Sequence, residues 1–254
     1  MSLFGNEISD SIEKSENQKF SFIENYKKHY PAVSHYQQPK SKIAIILNCC
    51  KVKDLTQDPI PCYLRYKGKD FNIIYDLIYK ENRIVDVYII SAQYGLIPLE
   101  EKILNYNVSF NDLKEEEIKN LSNQFHIRED LEKVLNNHSI AFILFGKRYG
   151  YALDIENELN TDCTVVAFGK DMMKTLKCKN KIEIDVNINK LAKKVKGYRS
   201  ANAKTFVIAE FLKRYSDEEI IEDNSIINKF IYKLYAKHKG KGNLFRKDDN
   251  NGIS

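Results

Sequence analysis

Short apolar runs alternate with amphipathic segments along the middle of the chain. The apolar runs are rich in Ile and Val, and such β-branched runs are typical of buried strands. Between them, apolar residues recur near helical spacing, which predicts helices. The alternation predicts an α/β domain with a short, mostly parallel four-stranded sheet and helices on both faces. The predicted strands cover residues 42–47, 84–90, 140–145 and 163–168, and the predicted helices cover 70–81, 113–122, 127–137 and 151–158.

The two ends of the chain differ from this middle part. Residues 1–40 are polar with interspersed aromatic residues, and Pro31 and Pro39 mark breaks, so we predict an N-terminal helical extension there. The α/β domain is expected over residues 41–185. Residues 186–254 are basic and have a largely helical pattern, with a last helix at 224–237.

A polar turn follows each predicted strand. These turns contain residues 48–51, 91–95, 146–149 and 169–171, and Gly95 allows a tight turn in the second of them. The carboxyl ends of parallel strands meet at one edge of a sheet, and ligands of open α/β sheets bind beyond that edge. The sequence therefore predicts a pocket there for a flat, polar ligand.

The second turn carries the best candidates for holding a nucleobase. Gln93 offers a donor and an acceptor at fixed geometry, and Tyr94 can stack on a base. Ser91 adds a hydroxyl, although all three side chains could instead satisfy one another within the turn. Asn48 could hold a base edge or orient a water, and the alternative is a turn residue that bonds local backbone.

Other candidates surround these residues. Glu100 is the candidate catalytic acid or base, with Glu101 nearly as good, although an exposed acidic loop has the same pattern. Asp112 is expected to cap the helix at 113–122. The remaining pocket candidates are Asn107, Gly146 and Tyr149, the last of which could instead pack in a helix; Lys51 and Arg148 could contact phosphate.

Net positive charge is concentrated in the C-terminal region. Residues 186–254 hold 15 Lys and Arg against 8 Asp and Glu, a net charge of +7, whereas the whole chain carries +5. This pattern suits contact with nucleic-acid phosphates, and a solvated helical surface is the alternative. The candidate DNA-binding residues are Lys193, Lys194, Lys196, Arg199 and Lys204.

Several classes of site and location lack support. No phosphate-binding loop, dinucleotide-binding turn or metalloprotease motif occurs, so we expect no cofactor and no metal. The five Cys fit reduced thiols, and Cys49 and Cys50 suit packing better than nucleophilic catalysis. No apolar run is long enough to span a bilayer and no signal-peptide core is present, so a cytoplasmic protein without a membrane partner is expected.

The turns resemble a known family. Its members carry a first strand that ends near Cys and Lys, a Ser-Ala-Lys-Tyr/His-Gly-Leu motif, a Pro-Tyr-Asp-like element and a Gly-x-x-Tyr turn. Here the corresponding residues are 48–51, 91–96, 105–107 and 146–149. The family is that of uracil-DNA-glycosylase-like α/β domains, with relatives among archaeosine and 7-deazaguanine modification enzymes. Gln93 replaces the Lys of the motif, and Asn107 replaces an Asp.

The resemblance implies a hydrolase that acts on DNA. Similar domains include anti-phage glycosylases that excise glucosylated hydroxymethylcytosine. We therefore expect a DNA glycosylase that flips out a modified base and leaves an abasic site, in antiviral defence, with no obligatory protein partner. The alternatives are a 7-deazaguanine-type enzyme that modifies bases in DNA or tRNA, and a non-catalytic nucleic-acid-binding module.

Overall fold

The computed structural model describes residues 38–153, 157–169, 172, 176–184, 186–187, 190–191 and 200–236. The predicted N-terminal extension lies outside the described residues except for 38–40. Lys193, Lys194, Lys196 and Arg199 also lie outside them, as do residues 170 and 171 of the fourth turn.

A six-stranded, mostly parallel sheet forms the centre of the described fold. Its strand order is β4-β3-β1-β6-β7-β8, and only the pairing of β3 with β4 is antiparallel. The strands are β1 (Ile43–Asn48), β3 (Asp86–Ser91), β4 (Gly95–Pro98), β6 (Ile140–Ile143), β7 (Thr164–Phe168) and β8 (Lys181–Ile184). A separate two-stranded sheet pairs β2 (Ile60–Pro61) with β5 (Lys102–Ile103).

The α/β class and the mostly parallel sheet are confirmed, but the expected number of four strands was wrong. β4 was missed because it has only four residues and directly follows the tight turn at Gly95. β8 was missed because Lys and Glu alternate with its two Ile residues, which is a weak strand pattern. Both strands lie at edges of the sheet, where shorter and more polar sequences are tolerated.

Helices connect and cover the strands. The described helices are α1 (Cys62–Arg65), α2 (Lys69–Tyr75, continued by a π-helical turn Asp76–Lys80), α3 (Glu115–Phe125), α4 (Ile127–Asn136), α5 (Lys147–Gly150), α6 (Ser200–Leu212), α7 (Asp217–Glu222) and α8 (Ile226–Ala236). The connection from β1 to β3 runs in the opposite direction along the sheet from the connection from β3 to β6. Since parallel crossovers are right-handed, these connections cover opposite faces.

Two local expectations need correction. Asp112 does not cap α3; it ends a short 3-10 helix, Phe110–Asp112, and Leu113 is extended. The Glu117 carboxylate instead accepts the Lys114 N–H at 2.5 Å before α3 begins. The predicted helix at 151–158 is described only as a 3-10 turn, Tyr151–Leu153.

The amino ends of the strands are tied together by charged groups. The Asp86 carboxylate accepts the Ser41 N–H at 3.0 Å and lies 3.1 Å from His138 Nε2. Asp217 of α7 accepts a hydrogen bond from the Ser41 hydroxyl at 2.9 Å and pairs with Arg83. The C-terminal helices therefore pack on the same unit as the sheet. In the described residues no helix is long and apolar enough to span a membrane.

Candidate active site

The crevice beyond β1 and β6 is where the fold favours ligand binding. β1 leads to β3 on one side of the sheet, whereas β6 leads to β7 on the other side. Ligands of open α/β sheets bind where the connections separate in this way. Two buried clusters of hydroxyl-bearing side chains lie at this edge, one centred on Tyr149 and one on Tyr106.

The Tyr149 cluster consists of Cys49, Ser109 and Tyr149. Cys49 directly follows β1, and Tyr149 belongs to α5, which follows β6. The Tyr149 hydroxyl lies 3.1 Å from Cys49 Sγ and 3.5 Å from Ser109 Oγ. Its ring packs 5.1 Å from that of Phe110, and Tyr149 is only 3% exposed. The cluster therefore joins the ends of two neighbouring strands to the loop before α3.

The Tyr106 cluster consists of Tyr66, Ser91 and Tyr106. The Tyr106 hydroxyl lies 2.6 Å from the Tyr66 hydroxyl and 2.9 Å from Ser91 Oγ. Ser91 Oγ also accepts the N–H groups of Gln93 and Tyr94, each at 3.2 Å. Ser91 thus holds its own turn and orients Tyr106, so it acts within the protein and does not point a free hydroxyl at a ligand.

Burial keeps the tyrosines of both clusters neutral. It raises the pKa of Tyr66, Tyr106 and Tyr149 well above the usual value for a phenol. Each hydroxyl therefore keeps its proton at neutral pH and both donates and accepts hydrogen bonds. The three phenol groups are therefore neutral polar groups at this edge and do not act as general bases.

Lys53 lies against the Tyr106 cluster. Its Nζ lies 4.1 Å from the centre of the Tyr106 ring, and the residue is only 9% exposed. Within the described part of the chain, Lys53 forms no ion pair with a carboxylate. Burial lowers its pKa, while Cys49, Cys50 and Asp112 act in the opposite direction. An unpaired buried lysine is unusual in a purely structural role.

A fully buried arginine fixes the segment that carries Lys53. Arg65 donates to the carbonyl oxygens of Asp54, Thr56 and Asp58 at 2.6–2.7 Å, and to that of Ile103 at 3.1 Å. Lys53 itself forms an antiparallel bridge with Tyr66. The backbone around Lys53 is therefore held on two sides.

The predicted turn residues meet at this edge, in different environments. Asn48 Nδ2 donates to the Cys49 carbonyl at 2.8 Å, which is the local backbone bond considered above. The Tyr94 ring packs edge-on against Tyr106 at 5.3 Å and is 5% exposed, so it is a wall and not an open stacking surface. Gln93 is half-buried, and its side-chain amide has no hydrogen-bond partner among the described residues. Asn107 and Gly146 are exposed.

The structure does not bring Glu100 to this edge. β4 runs antiparallel to β3, and the Leu99 N–H donates to the Val87 carbonyl, so Glu100 lies level with the amino end of β3. Its exposed carboxylate pairs with Lys40 at 3.5 Å. The expected position of Glu100 beside the pocket was wrong because the turn at Gly95 begins a hairpin that carries the chain back along β3. Glu101 follows it on the same segment.

Asp112 is the carboxylate that lies near the clusters. It ends the 3-10 helix that begins with Phe110, and its Oδ1 lies 3.5 Å from Lys51 Nζ. Asp112 also acts electrostatically on Lys53. Both members of the Lys51 pair are exposed, so the pair can open when a ligand binds.

The predicted phosphate-binding residues occupy two places. Lys51 and Arg148 are exposed at the carboxyl edge, where Arg148 Nε also donates to the Phe110 carbonyl at 2.9 Å. Lys204 is half-buried in α6, beside Asp70 of α2. Burial lowers the pKa of Lys204 to about 8, although Asp70 acts in the opposite direction. Lys204 is therefore less available to phosphate than the other two.

Residues 44–180 match a protein family described as a family of unknown function, DUF6884. The chain belongs to this family. The match includes both clusters, Lys53 and Arg65, and it ends before Lys204. No curated protein and no solved structure matches the chain significantly. Within the described residues, no group of three or more His, Cys, Asp or Glu side chains is arranged to hold a metal ion in this DUF6884 member.

Sequence reasoning missed Lys53 and Tyr66. Lys53 lies in a loop with no periodic pattern, and Tyr66 follows a helix of four residues, so neither had a local signal. The doublet of Lys51 and Lys53 was the one available indication, since alternation places such residues on one side of an extended segment. Cys49 was noted as a packing residue, and the structure adds its contact with Tyr149.

Proposed function

We propose that the protein is a DNA glycosylase that cleaves the N-glycosidic bond of a modified base and leaves an abasic site. The observation that carries the proposal is the pair of neutral hydroxyl clusters beyond β1, β3 and β6, next to the exposed cations Lys51 and Arg148. This arrangement suits a flipped nucleotide, whose base needs neutral hydrogen-bonding partners while its phosphates need cations.

The neutral character of the clusters favours a base with a neutral polar substituent. A glucosylated hydroxymethylcytosine has sugar hydroxyls that both donate and accept, as tyrosine hydroxyls do. Gln93 has a free side-chain amide at the same edge, and it replaces the charged Lys of the related motif. Both features support a base that is larger than cytosine and carries a neutral polar substituent, in the DNA of a phage.

The reaction requires stabilisation of an oxocarbenium-like state and a positioned water. Asn48 and Asp112 are the residues that we assign to these tasks. The free amide oxygen of Asn48 orients water or a base edge, and the Asp112 carboxylate stabilises positive charge on the sugar. Tyr106 is half-buried and is the ring best placed to contact the base. No cofactor is required for this hydrolysis.

A base-release assay tests the proposal. The full-length protein is incubated with oligonucleotides that contain cytosine, uracil, hydroxymethylcytosine or glucosylated hydroxymethylcytosine, as single strands and as duplexes, and abasic sites are then cleaved with alkali. We expect cleavage at the glucosylated base. Binding without release of any base would contradict the proposal and favour a non-catalytic module, whereas exchange of a base without an abasic product would indicate a base-modification enzyme.

Tyr149→Phe tests the site itself. The variant keeps the ring and removes only the hydroxyl, so we expect base release to fall by about 10-fold or more, as for loss of one hydrogen bond to a ligand. Stability should change by only about 1 kcal/mol. The matched control is Tyr232→Phe in α8, where the side chain is 58% exposed. Equal rates in both variants would place the site elsewhere.

A further inference from the structure

We propose that Lys53 is a nucleophile that forms a Schiff base with the aldehyde of an abasic deoxyribose and thereby gives the protein a DNA strand-cleaving lyase activity. The inference rests on the proposed function for the source of the abasic site, but it can be tested without it. Lys53 has no part in the glycosylase step described above.

The amine of Lys53 lies at the carboxyl edge of the sheet. Its Nζ lies over the Tyr106 ring at 4.1 Å, and the Tyr106 hydroxyl contacts Ser91 at the carboxyl end of β3. The amine therefore lies at the edge where the sugar of a flipped nucleotide is expected. The groups that act on it electrostatically are Cys49, Cys50, Asp112 and Lys51, all from segments at this edge.

Burial of Lys53 favours the neutral form of its amine. A lysine attacks a carbonyl only as the neutral amine, and removal from water favours that form. Lys53 is 9% exposed and forms no ion pair with a described carboxylate. The Tyr106 ring, Cys49, Cys50 and Asp112 favour its charged form, and burial acts against them. Burial lowers its pKa accordingly. By contrast Lys67, on the adjacent segment, is exposed and pairs with Asp54 at 3.0 Å.

Backbone hydrogen bonds on both sides of Lys53 hold its segment in place. The Val52 carbonyl accepts the Lys67 N–H at 3.0 Å, the Asp54 N–H donates to the Arg65 carbonyl at 2.7 Å, and Lys53 lies between these two bonds. The Arg65 side chain then holds the Asp54 carbonyl. A nucleophile on such a fixed segment loses little freedom on reaction.

The chemistry needs no oxidant or reductant. The amine lone pair of Lys53 adds to C1′ of the open-chain aldehyde, the aldehyde oxygen takes a proton, and loss of water gives a protonated imine. Water then removes the proton from C2′, the C–H electron pair forms a double bond, and the C3′–O bond breaks. The phosphate leaves on the downstream strand. Hydrolysis of the imine releases an unsaturated aldehyde and restores the free lysine.

Reductive trapping of the imine on preformed abasic DNA tests the inference. An oligonucleotide with one abasic site, prepared by removing uracil, is incubated with the full-length protein and sodium cyanoborohydride, which reduces the imine to a stable amine. We expect a covalent protein–DNA adduct, located at Lys53 by peptide mass spectrometry. Without borohydride, we expect a nicked strand with a 5′ phosphate before any alkali is added.

Two variants and one control make the test specific. Lys53→Met removes the amine and keeps an apolar stem, and Lys53→Arg places a permanent positive charge there without a nucleophilic amine. In both variants the yield of adduct should fall by about 20-fold or more, whereas Lys67→Met should give the same yield as the wild-type protein. Circular dichroism and unfolding curves check that each variant is folded.

The outcomes separate the inference from the proposed glycosylase. If no adduct forms on abasic DNA, or if Lys53→Met and Lys53→Arg retain it, Lys53 is not a lyase nucleophile. If Lys53→Met still releases the base, as detected after alkali, but no longer cleaves the strand without alkali, the glycosylase is intact and the lyase activity is lost. This result would support the inference. An adduct at Lys53 in a protein that releases no base would support the lyase and overturn the glycosylase.

Discussion

At the amino edge of the sheet the charged side chains contact one another, whereas the described buried groups at the carboxyl edge are hydroxyls, a thiol, Lys53 without an ion pair, and Arg65 bound to backbone carbonyls. Asp86 lies between the Ser41 N–H and His138, and the other ring nitrogen of His138 faces the Val134 carbonyl at 2.6 Å. Both ring nitrogens of His138 therefore have an oxygen partner within hydrogen-bond distance. No such pairing occurs around Lys53 in the described structure.

The two edges also differ in the shape of their surface. An open groove of about 1010 Å³ lies at the amino edge, lined by His138, Thr161, Cys163, Lys179 and neighbouring residues. In this groove Asp162 and Lys179 lie 3.4 Å apart as an ion pair. The size of a cavity alone therefore does not locate the candidate site, because the chemically unusual groups lie at the opposite edge.

The largest expected effect concerns the turn that builds the carboxyl edge. Gly95 has a φ of +74°, and a Cβ there would lie 3.1 Å from Phe125 Cβ. Gly95→Ala should therefore destabilise the protein by about 2–4 kcal/mol and disturb the Tyr106 cluster. Urea unfolding measures the change.

Gly146→Ala is the matched control for this substitution. Gly146 has a φ of −98°, and a Cβ there would meet no atom within 4 Å. The free energy of unfolding should stay within about 0.5 kcal/mol of the wild-type value. Similar losses in both variants would show that the turn at Gly95 is not a special constraint.

A substitution at the amino edge should separate stability from activity. Asp86→Asn weakens the contacts with Ser41 and His138, so we expect a loss of about 1–3 kcal/mol in unfolding experiments. Base release per folded molecule should be unchanged. The control is Asp162→Asn, whose carboxylate is 92% exposed and whose removal should cost less than about 0.5 kcal/mol. A selective loss of base release in Asp86→Asn would break the distinction between the two edges.

The smallest expected effect concerns Glu100. Glu100→Gln removes an exposed pair with Lys40, which should change stability by less than about 0.5 kcal/mol. Base release should also stay at the wild-type rate, because Glu100 lies level with the amino end of β3. A strong loss of release would instead support the catalytic role that the sequence suggested, and would require the chain after β4 to rearrange.

The four central strands and the convergence of their turns followed from the sequence because both depend on local patterns. Runs of Ile and Val mark buried parallel strands, and parallel strands must place their carboxyl ends together. Gly95 was also predictable, since a tight turn after an apolar strand requires a residue that tolerates positive φ.

The composition of the site was less predictable because it depends on pairing between distant segments. The direction of β4 decided the position of Glu100, and no residue near Glu100 indicates whether that strand runs back along β3. The contacts of Tyr149 with Cys49 and of Lys53 with Tyr106 join residues that are far apart in the chain. Such contacts have no periodic signature, so the sequence could suggest the edge but not its chemistry.

The way in which Arg65 is bound has a consequence for sequence variation. The guanidinium donates to the backbone carbonyl oxygens of residues 54, 56 and 58. Substitutions at exposed positions such as Leu55 and Gln57 therefore leave its anchors in place. The exposed side chains of this loop can therefore vary while the backbone that carries Lys53 keeps its position.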